Sequence, residues 1–286
     1  MIVRPHFDIP LPNGRVLELG RRPLVMGILN LTPDSFAESR PLDTRAAIDR
    51  ALAMETEGAD LIDVGGESTR PGADPVDAKT ELERILPVLE GLSGRIRIPL
   101  SVDTYKAAVA DAAIDAGAQM VNDVSGLVYD PPLASVVAHR RAPIVLMHTR
   151  GRSKNMYGEA VYADVAGEVS RELQSRVDAA VAAGVPRASI IVDPGLGFAK
   201  RAEHSYGVLA RLPEVAAALG LPMLVGPSRK SFLKTAAQGA DAPLRDWPTA
   251  AAVTAAVLGG AHIIRVHAVG PMAQVVRAAE AIYQAR

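Results

Sequence analysis

The chain has 286 residues, 49% of them hydrophobic and none of them cysteine; a large core is possible, while disulfides, thiolate metal sites and a cysteine nucleophile are excluded. Lys and Arg (31) nearly balance Asp and Glu (32), which argues against nucleic acid or another polyanion as partner. The opening MIVRPHFDIPLPNGR is broken by Arg4, Asp8 and its prolines, and the alanine-rich stretch 250–261 is too short to span a bilayer, so the expectation is a soluble, cytoplasmic protein.

In chain order, VLELG after the turn pair Asn13-Gly14 reads as the second strand of a hairpin, so that residues 1–22 form a short N-terminal segment closing the bottom of the main fold. Eight short apolar runs come next: LVMGILN (24–30), ADLIDVGG (59–66), RIPLSVD (97–103), AQMVNDV (118–124), PIVLMH (143–148), SIIVDP (189–194), PMLVGPS (222–228) and AHIIRVH (261–267). Being apolar on both faces, they suit parallel strands covered on both sides. Segments of helical period separate them, most clearly Leu82, Ile85, Leu86 and Leu89, and Val165, Val169, Leu173, Val177 and Val181. Gly58, Gly117 and Gly184 stand where helices should stop. Nothing in the composition splits the chain, so the prediction is an α/β protein, a closed (β/α)8 TIM barrel forming a single domain over 1–286. An open doubly wound sheet is the alternative, but the first strand lacks a GxGxxG turn.

In such a barrel the chemistry gathers at the C-terminal strand ends. Here those ends carry Asn30, then Asp63 with Gly65-Gly66-Glu67-Ser68-Thr69-Arg70, then Asp103, Asn122-Asp123, His148, Asp193, Ser228-Arg229-Lys230, and Arg265 with His267. Taken singly, each has a structural reading. Asp103 and Asp193 could cap helices, Asp63 could be tied to nearby backbone or a loop hydroxyl, and His148 could be a satisfied core histidine. Eight polar ends out of eight point instead to a site. Asp103, Asn122 and Asp193 can donate to and accept from the edge of a flat, guanidine-like heterocycle, while Arg70, Arg229, Lys230, Arg265 and His267 suit a phosphate or pyrophosphate. Asn30, Asp34 and Glu38 offer hard oxygens for Mg²⁺ shared with substrate phosphates. The absence of HxxxH and GxSxG spacing counts against a histidine metal site and a serine hydrolase.

GILNLTPDSF (27–36), IDVGGESTRPG (62–72), SVDT (101–104), NDV (122–124), LMH (146–148), VDPGLGF (192–198), LVGPSRKSF (224–232) and HIIRVH (262–267) together resemble the bacterial dihydropteroate synthases, from about residue 24 to the C-terminus. The resemblance implies a homodimeric barrel that joins 6-hydroxymethyl-7,8-dihydropterin diphosphate to p-aminobenzoate, with Mg²⁺. It implies that Asp103, Asn122, Asp193 and Lys230 grip the pterin, with Met147 on its ring. Asn30, Arg265 and His267 would hold the diphosphate, Asn30 and Glu38 the metal. Phe36, Thr69, Arg70, Pro71 and Ser228 would shape the aminobenzoate site. Asn30, Asp103, Lys230, Arg265 and His267 are the expected catalytic set. Two readings compete: a methyltetrahydrofolate-binding corrinoid methyltransferase, in which the cations would have no diphosphate to hold, and a non-catalytic pterin-binding paralogue. The chain departs from the family in Ala37-Glu38-Ser39-Arg40, where Ser-Asp-Gly-Gly is usual, in Ala268, where an Asp is usual, and in HTRGRSKNMYG (148–158).

Overall fold

A computed structural model describes residues 4–32, 43–70 and 72–285. Strands β1 (Phe7–Pro10) and β2 (Val16–Leu19) pair antiparallel, and Gly14 turns the chain between them at φ +80°. The expected hairpin is therefore present. The eight runs all become strands: β3 (Leu24–Asn30), β4 (Leu61–Gly65), β5 (Leu100–Asp103), β6 (Met120–Asp123), β7 (Ile144–Met147), β8 (Ile190–Asp193), β9 (Leu224–Val225) and β10 (Ile263–Val266). They are parallel, in the order β8-β7-β6-β5-β4-β3-β10-β9. A bridge between Val192 and Met223, with the Val192 N–H donating to Pro222 O at 3.0 Å, joins β8 to the β9 side and closes the barrel. Strand β9 is the shortest because Pro222 and Pro227 flank it, and proline has no N–H to give a ladder.

Helices α1 (Thr44–Glu57), α2 (Ala78–Leu92), α3 (Ala107–Asp115), α4 (Leu133–Arg140), α5 (Val165–Ala182), α6 (Ala202–Ala210), α7 (Leu212–Leu219), α8 (Asp246–Leu258) and α9 (Val269–Gln284) lie between and after the strands. None of the described helices is long and apolar enough to cross a membrane. Gly58 ends α1 in the left-handed conformation at φ +105°, as its position predicts. On α5 the fourfold spacing holds only in part. Val169, Leu173 and Val177 are fully buried, but Val181 is 43% exposed and Ala180 packs inward instead. A step of four overshoots the 3.6-residue turn by about 40° each time, so a strict stripe winds off the buried face.

Alternation along each strand divides the core. Ile62, Val64, Val102, Val121, Ile144, Leu146, Ile190, Val192, Ile264 and Val266 pack with the helices. The opposite set, Met26, Leu61, Met120, Val145, Ile191, Leu224 and Ile263, fills the lower lumen together with Ile9, Leu11, Leu17 and Leu19 of the hairpin segment. Each such side chain contributes about 1.5–3 kcal/mol by leaving water. Two residues further on, with the same inward parity, come Asp63, Asn122, Met147, Asp193, Gly226 and Arg265. The lumen thus changes from hydrocarbon to charge within one strand period.

Candidate active site

Arg265, on β10, organises the upper lumen. Its Nε donates to Asp63 Oδ2 and its Nη2 to Asp103 Oδ2, both at 2.6 Å. Asn122 Nδ2 donates to the same Asp63 oxygen at 2.8 Å. Asp63 is 0% exposed, and these bonds offset part of the cost of burying its polar group. They also set Asn122: one N–H is committed to Asp63, which leaves its other N–H and its carbonyl oxygen for a ligand. The expectation that Asp63 is tied to backbone or a loop hydroxyl is corrected here, because its carboxylate holds two side chains of the site. Its inward parity with Leu61 was the available signal.

Neither Asp103 nor Asp193 caps a helix. The Asp103 carboxylate faces Arg265, and α3 begins after Lys106. Asp193 Oδ1 accepts the Gly195 N–H at 2.7 Å, inside the loop after β8. Burial pushes Asp103 up to about 7, with Arg265 pulling it back and Asp63 adding to the rise. Burial likewise raises Asp193, against the pull of Lys230. Lys230 is lowered by burial to about 8, although Asp193 favours its charge. Its Nζ stands 4.6 Å from the centre of the Phe198 ring. Met147, 3% exposed, packs with Tyr105 and Val124, and Tyr129 and Phe198 join this wall. Sequence reasoning gives Phe198, Tyr105 and Val124 no role, although Phe198 lies in the VDPGLGF string.

Glycines clear the space beside these groups. A Cβ on Gly65 would lie 3.5 Å from Asn30 Oδ1 and 3.6 Å from Asp103 Oδ2. One on Gly226 would lie 3.7 Å from Arg265 Cβ and 3.9 Å from Lys230 Nζ.

Two cavities adjoin the cluster. The first, about 550 Å³, is lined by Asn30, Arg70, Arg229 and His267 among others. The second, about 430 Å³, is lined by Thr69, Tyr105, Val124, Tyr129, Arg152 and Phe198 among others. The neighbours Thr69 and Arg70, grouped together from sequence, therefore face different cavities. Ser228, grouped with them, has its hydroxyl on His267: it accepts the His267 backbone N–H at 3.1 Å and lies 2.9 Å from Nδ1. The Ser228 hydroxyl thus meets both the backbone and the ring of His267 and holds the imidazole in place. Burial, aided by Arg265, Arg229 and Arg70, lowers His267 to about 3. Arg229 is bound through Nε and Nη2 to Asp246 at 2.7 and 2.8 Å, so it is a partly neutralised cation. Phe36, Glu38 and Pro71, with Asp34, lie outside the described residues. His148 is the satisfied core histidine that its apolar strand allowed, 0% exposed with Nε2 3.0 Å from Glu172 and Nδ1 2.7 Å from Lys200.

Among the described residues no group of three His, Asp or Glu could enclose a metal ion. A neutral Asn30 oxygen beside Arg70 and Arg229 fits a hard ion that draws most of its ligands from a phosphate substrate and water, as Mg²⁺ does, better than an all-protein cage.

Residues 26–267 match the model of the family described as pterin binding enzyme. A dihydropteroate synthase from Synechocystis sp. is 46% identical over 98% of this chain and 97% of its own. Among solved structures, a Yersinia pestis dihydropteroate synthase in complex with a sulfonamide drug superposes with a TM-score of 0.91 at 39% identity, covering 97% of this chain and 100% of that one. The enzyme from Xanthomonas albilineans in complex with 7,8-dihydropteroate gives 0.85 at 38% identity, over 97% and 98%.

Proposed function

The chain belongs to the dihydropteroate synthase family of pterin-binding enzymes, and on that premise we propose that it condenses 6-hydroxymethyl-7,8-dihydropterin diphosphate with p-aminobenzoate to give 7,8-dihydropteroate and pyrophosphate in folate biosynthesis. The observation that carries this reading is the fixed set of Asp103, Asn122 and Asp193 with Lys230 and Arg265 on the lumen floor, next to a cavity lined by Asn30, Arg70 and His267. The carboxylates and the Asn122 oxygen accept from the N–H edge of the pterin, and Met147 supports its ring.

Breaking the exocyclic C–O bond leaves positive charge that the dihydropterin ring spreads, while negative charge grows on the departing pyrophosphate. Asp103 and Asp193 lie beside the first charge. Arg265, through the donors it does not spend on Asp63 and Asp103, and His267 serve the second. Groups held in advance where charge develops favour the transition state over the ground state. The Ser228 hydroxyl, on both the backbone N–H and Nδ1 of His267, holds that ring in place. An arylamine is neutral and nucleophilic at pH 7, so positioning replaces a strong general base. Mg²⁺, held by Asn30 and Glu38 with the diphosphate, would supply further neutralisation of the leaving group. Thr69, Arg70, Phe36 and Pro71 belong to the aminobenzoate side in this reading, and the Arg70 guanidinium also lines the diphosphate cavity. The reading places the reaction in the cytoplasm, in a single barrel domain that pairs with a second copy. In favour of pairing, Trp247 at the start of α8 is 87% exposed and Leu244 just before it 71%.

Purified protein given pterin diphosphate, p-aminobenzoate and Mg²⁺ is expected to release pyrophosphate and form dihydropteroate in equal amounts. Pterin binding without pyrophosphate release, with or without metal, would instead mark a non-catalytic pterin binder. Methyl transfer from methyltetrahydrofolate to a corrinoid would mark the other barrel enzyme.

A further inference from the structure

Beside the pterin floor, but outside every role assigned above, lies a lysine that is 1% exposed. Lys200 Nζ sits 2.7 Å from His148 Nδ1, 3.2 Å from Gly195 O and 3.1 Å from Phe198 O. These three contacts surround the amine, and burial lowers it well below the usual lysine range although Asp193 favours its charge. His148 accepts because its other nitrogen faces the Glu172 carboxylate, which must take a proton from Nε2. Burial raises the Glu172 carboxyl, but His148 and Arg150 outweigh it and hold it below the usual range.

The segment that Lys200 grips has little to hold it. Gly195, Gly197 and Ala199 are all left-handed, at φ +67°, +79° and +47°. Ala199 adopts that conformation with a Cβ, at a cost of about 1 kcal/mol. Gly195 passes so close to β7 that a Cβ there would lie 2.0 Å from His148 O. Between its ends the turn makes one backbone bond, Phe198 N–H to Gly195 O at 3.1 Å. Leu196 anchors it in the hydrophobic core, and its remaining polar ties are to side chains: Lys200 on Gly195 O and Phe198 O, Tyr162 Oη on Ala199 O at 3.0 Å, and Ser205 Oγ under Gly197 N–H at 3.1 Å. The same turn does two things for the site. The Gly195 N–H orients the Asp193 carboxylate, and Phe198 lies against the Lys230 ammonium.

We propose that Lys200 is a positioning residue for the pterin subsite, clamping the Gly195–Phe198 turn to His148 so that Asp193, Phe198 and Lys230 keep their register. It touches no substrate and acts through the turn. The inference rests on the pterin reading of Asp193 and Lys230.

Lys200→Met keeps an unbranched chain, one atom shorter, and removes the nitrogen with its donors. Losing the amine's bonds to Gly195 O and Phe198 O predicts a pterin diphosphate Kd raised about tenfold. Because Phe198 also lines the cavity that holds Thr69, the p-aminobenzoate KM should rise by less than the pterin Kd, with a cooperative unfolding transition retained. A cycle with Phe198→Leu should be non-additive, the double variant binding pterin little worse than the weaker single one. If Lys200→Met does not fold, Tyr162→Phe, which deletes only the bond to Ala199 O, must show the same selectivity at about threefold. Equal losses for both substrates, an additive cycle, or an unchanged pterin Kd would overturn the proposal. Wild-type enzyme in the same assay separates the two claims, because absence of dihydropteroate formation there defeats the functional reading and not the clamp.

Discussion

Ile191 and Asp193 stand two residues apart on β8, both facing the lumen and both nearly sealed from solvent. Ile191 joins the hydrocarbon floor that rests on the hairpin, and Asp193 belongs to the charged cluster above it. Some 7 Å of strand separates them. The floor gains stability from every buried carbon, whereas the mouth holds carboxylates and cations out of water at a net cost. Stability and chemistry are thus assigned to the two ends of the same strands, and substitutions on either side of that boundary should fail in opposite ways.

The largest effect is expected at the mouth. Asp193→Asn keeps the shape and removes a charged acceptor, so kcat/KM for pterin diphosphate should fall about a thousandfold, roughly 4 kcal/mol. Stability should hold or rise. Because burial raises this carboxyl in the folded state, its contribution to stability is present at low pH and lost as pH rises, so at pH 7 it is a cost that asparagine removes. A melting temperature that falls with activity would blur the division. Ile191→Ala is the counterpart, expected to cost about 3 kcal/mol in chemical denaturation while leaving KM for both substrates within about twofold.

Titration gives a third comparison. His262, packed against Phe7 of the hairpin, accepts the Met223 N–H at Nδ1 (3.1 Å) and bonds Pro5 O through Nε2 (3.0 Å). It is therefore neutral, and burial, with Arg4 nearby, lowers it to about 4. A depressed histidine contributes stability above its unfolded value of about 6.5 and loses it as pH falls toward the folded value. Between pH 7 and pH 5 wild type should lose about 2 kcal/mol more than His262→Gln, from about 1.4 kcal/mol per unit. Denaturation at the two pH values checks it, and an equal loss in both proteins would remove His262 as the cause.

The barrel was legible because its strands are short, apolar on both faces and regularly spaced, and because glycines such as Gly58 stop its helices. Much of the site was legible too, since Asp103, Asn122, Asp193, Lys230 and Arg265 all converge on the lumen from strand ends. What escaped was pairing. Asp63 reads as a lone buried acid until the closed barrel brings Arg265 and Asn122 to it from residues 202 and 59 positions away. Ser228 reads as a loop hydroxyl until β10 places His267 on it. Periodicity reports which face a side chain takes, but not which distant strand supplies its partner.

The smallest effect tests the mouth where its donor set is thinnest. Asn30 is the one proposed metal ligand among the described residues, and its oxygen is uncharged. An ion placed there would depend on the diphosphate for most of its ligands, and Glu38 would add a single carboxylate from a first loop that lacks the family's usual glycines. Glu38→Gln should therefore raise the Mg²⁺ concentration for half-maximal activity only about threefold, under 1 kcal/mol, and leave pterin affinity unchanged. Steady-state rates across a Mg²⁺ series check this. A loss of pterin affinity approaching that of Asp193→Asn would place Glu38 on the pterin, and the separation of ring-binding from leaving-group residues would then fail.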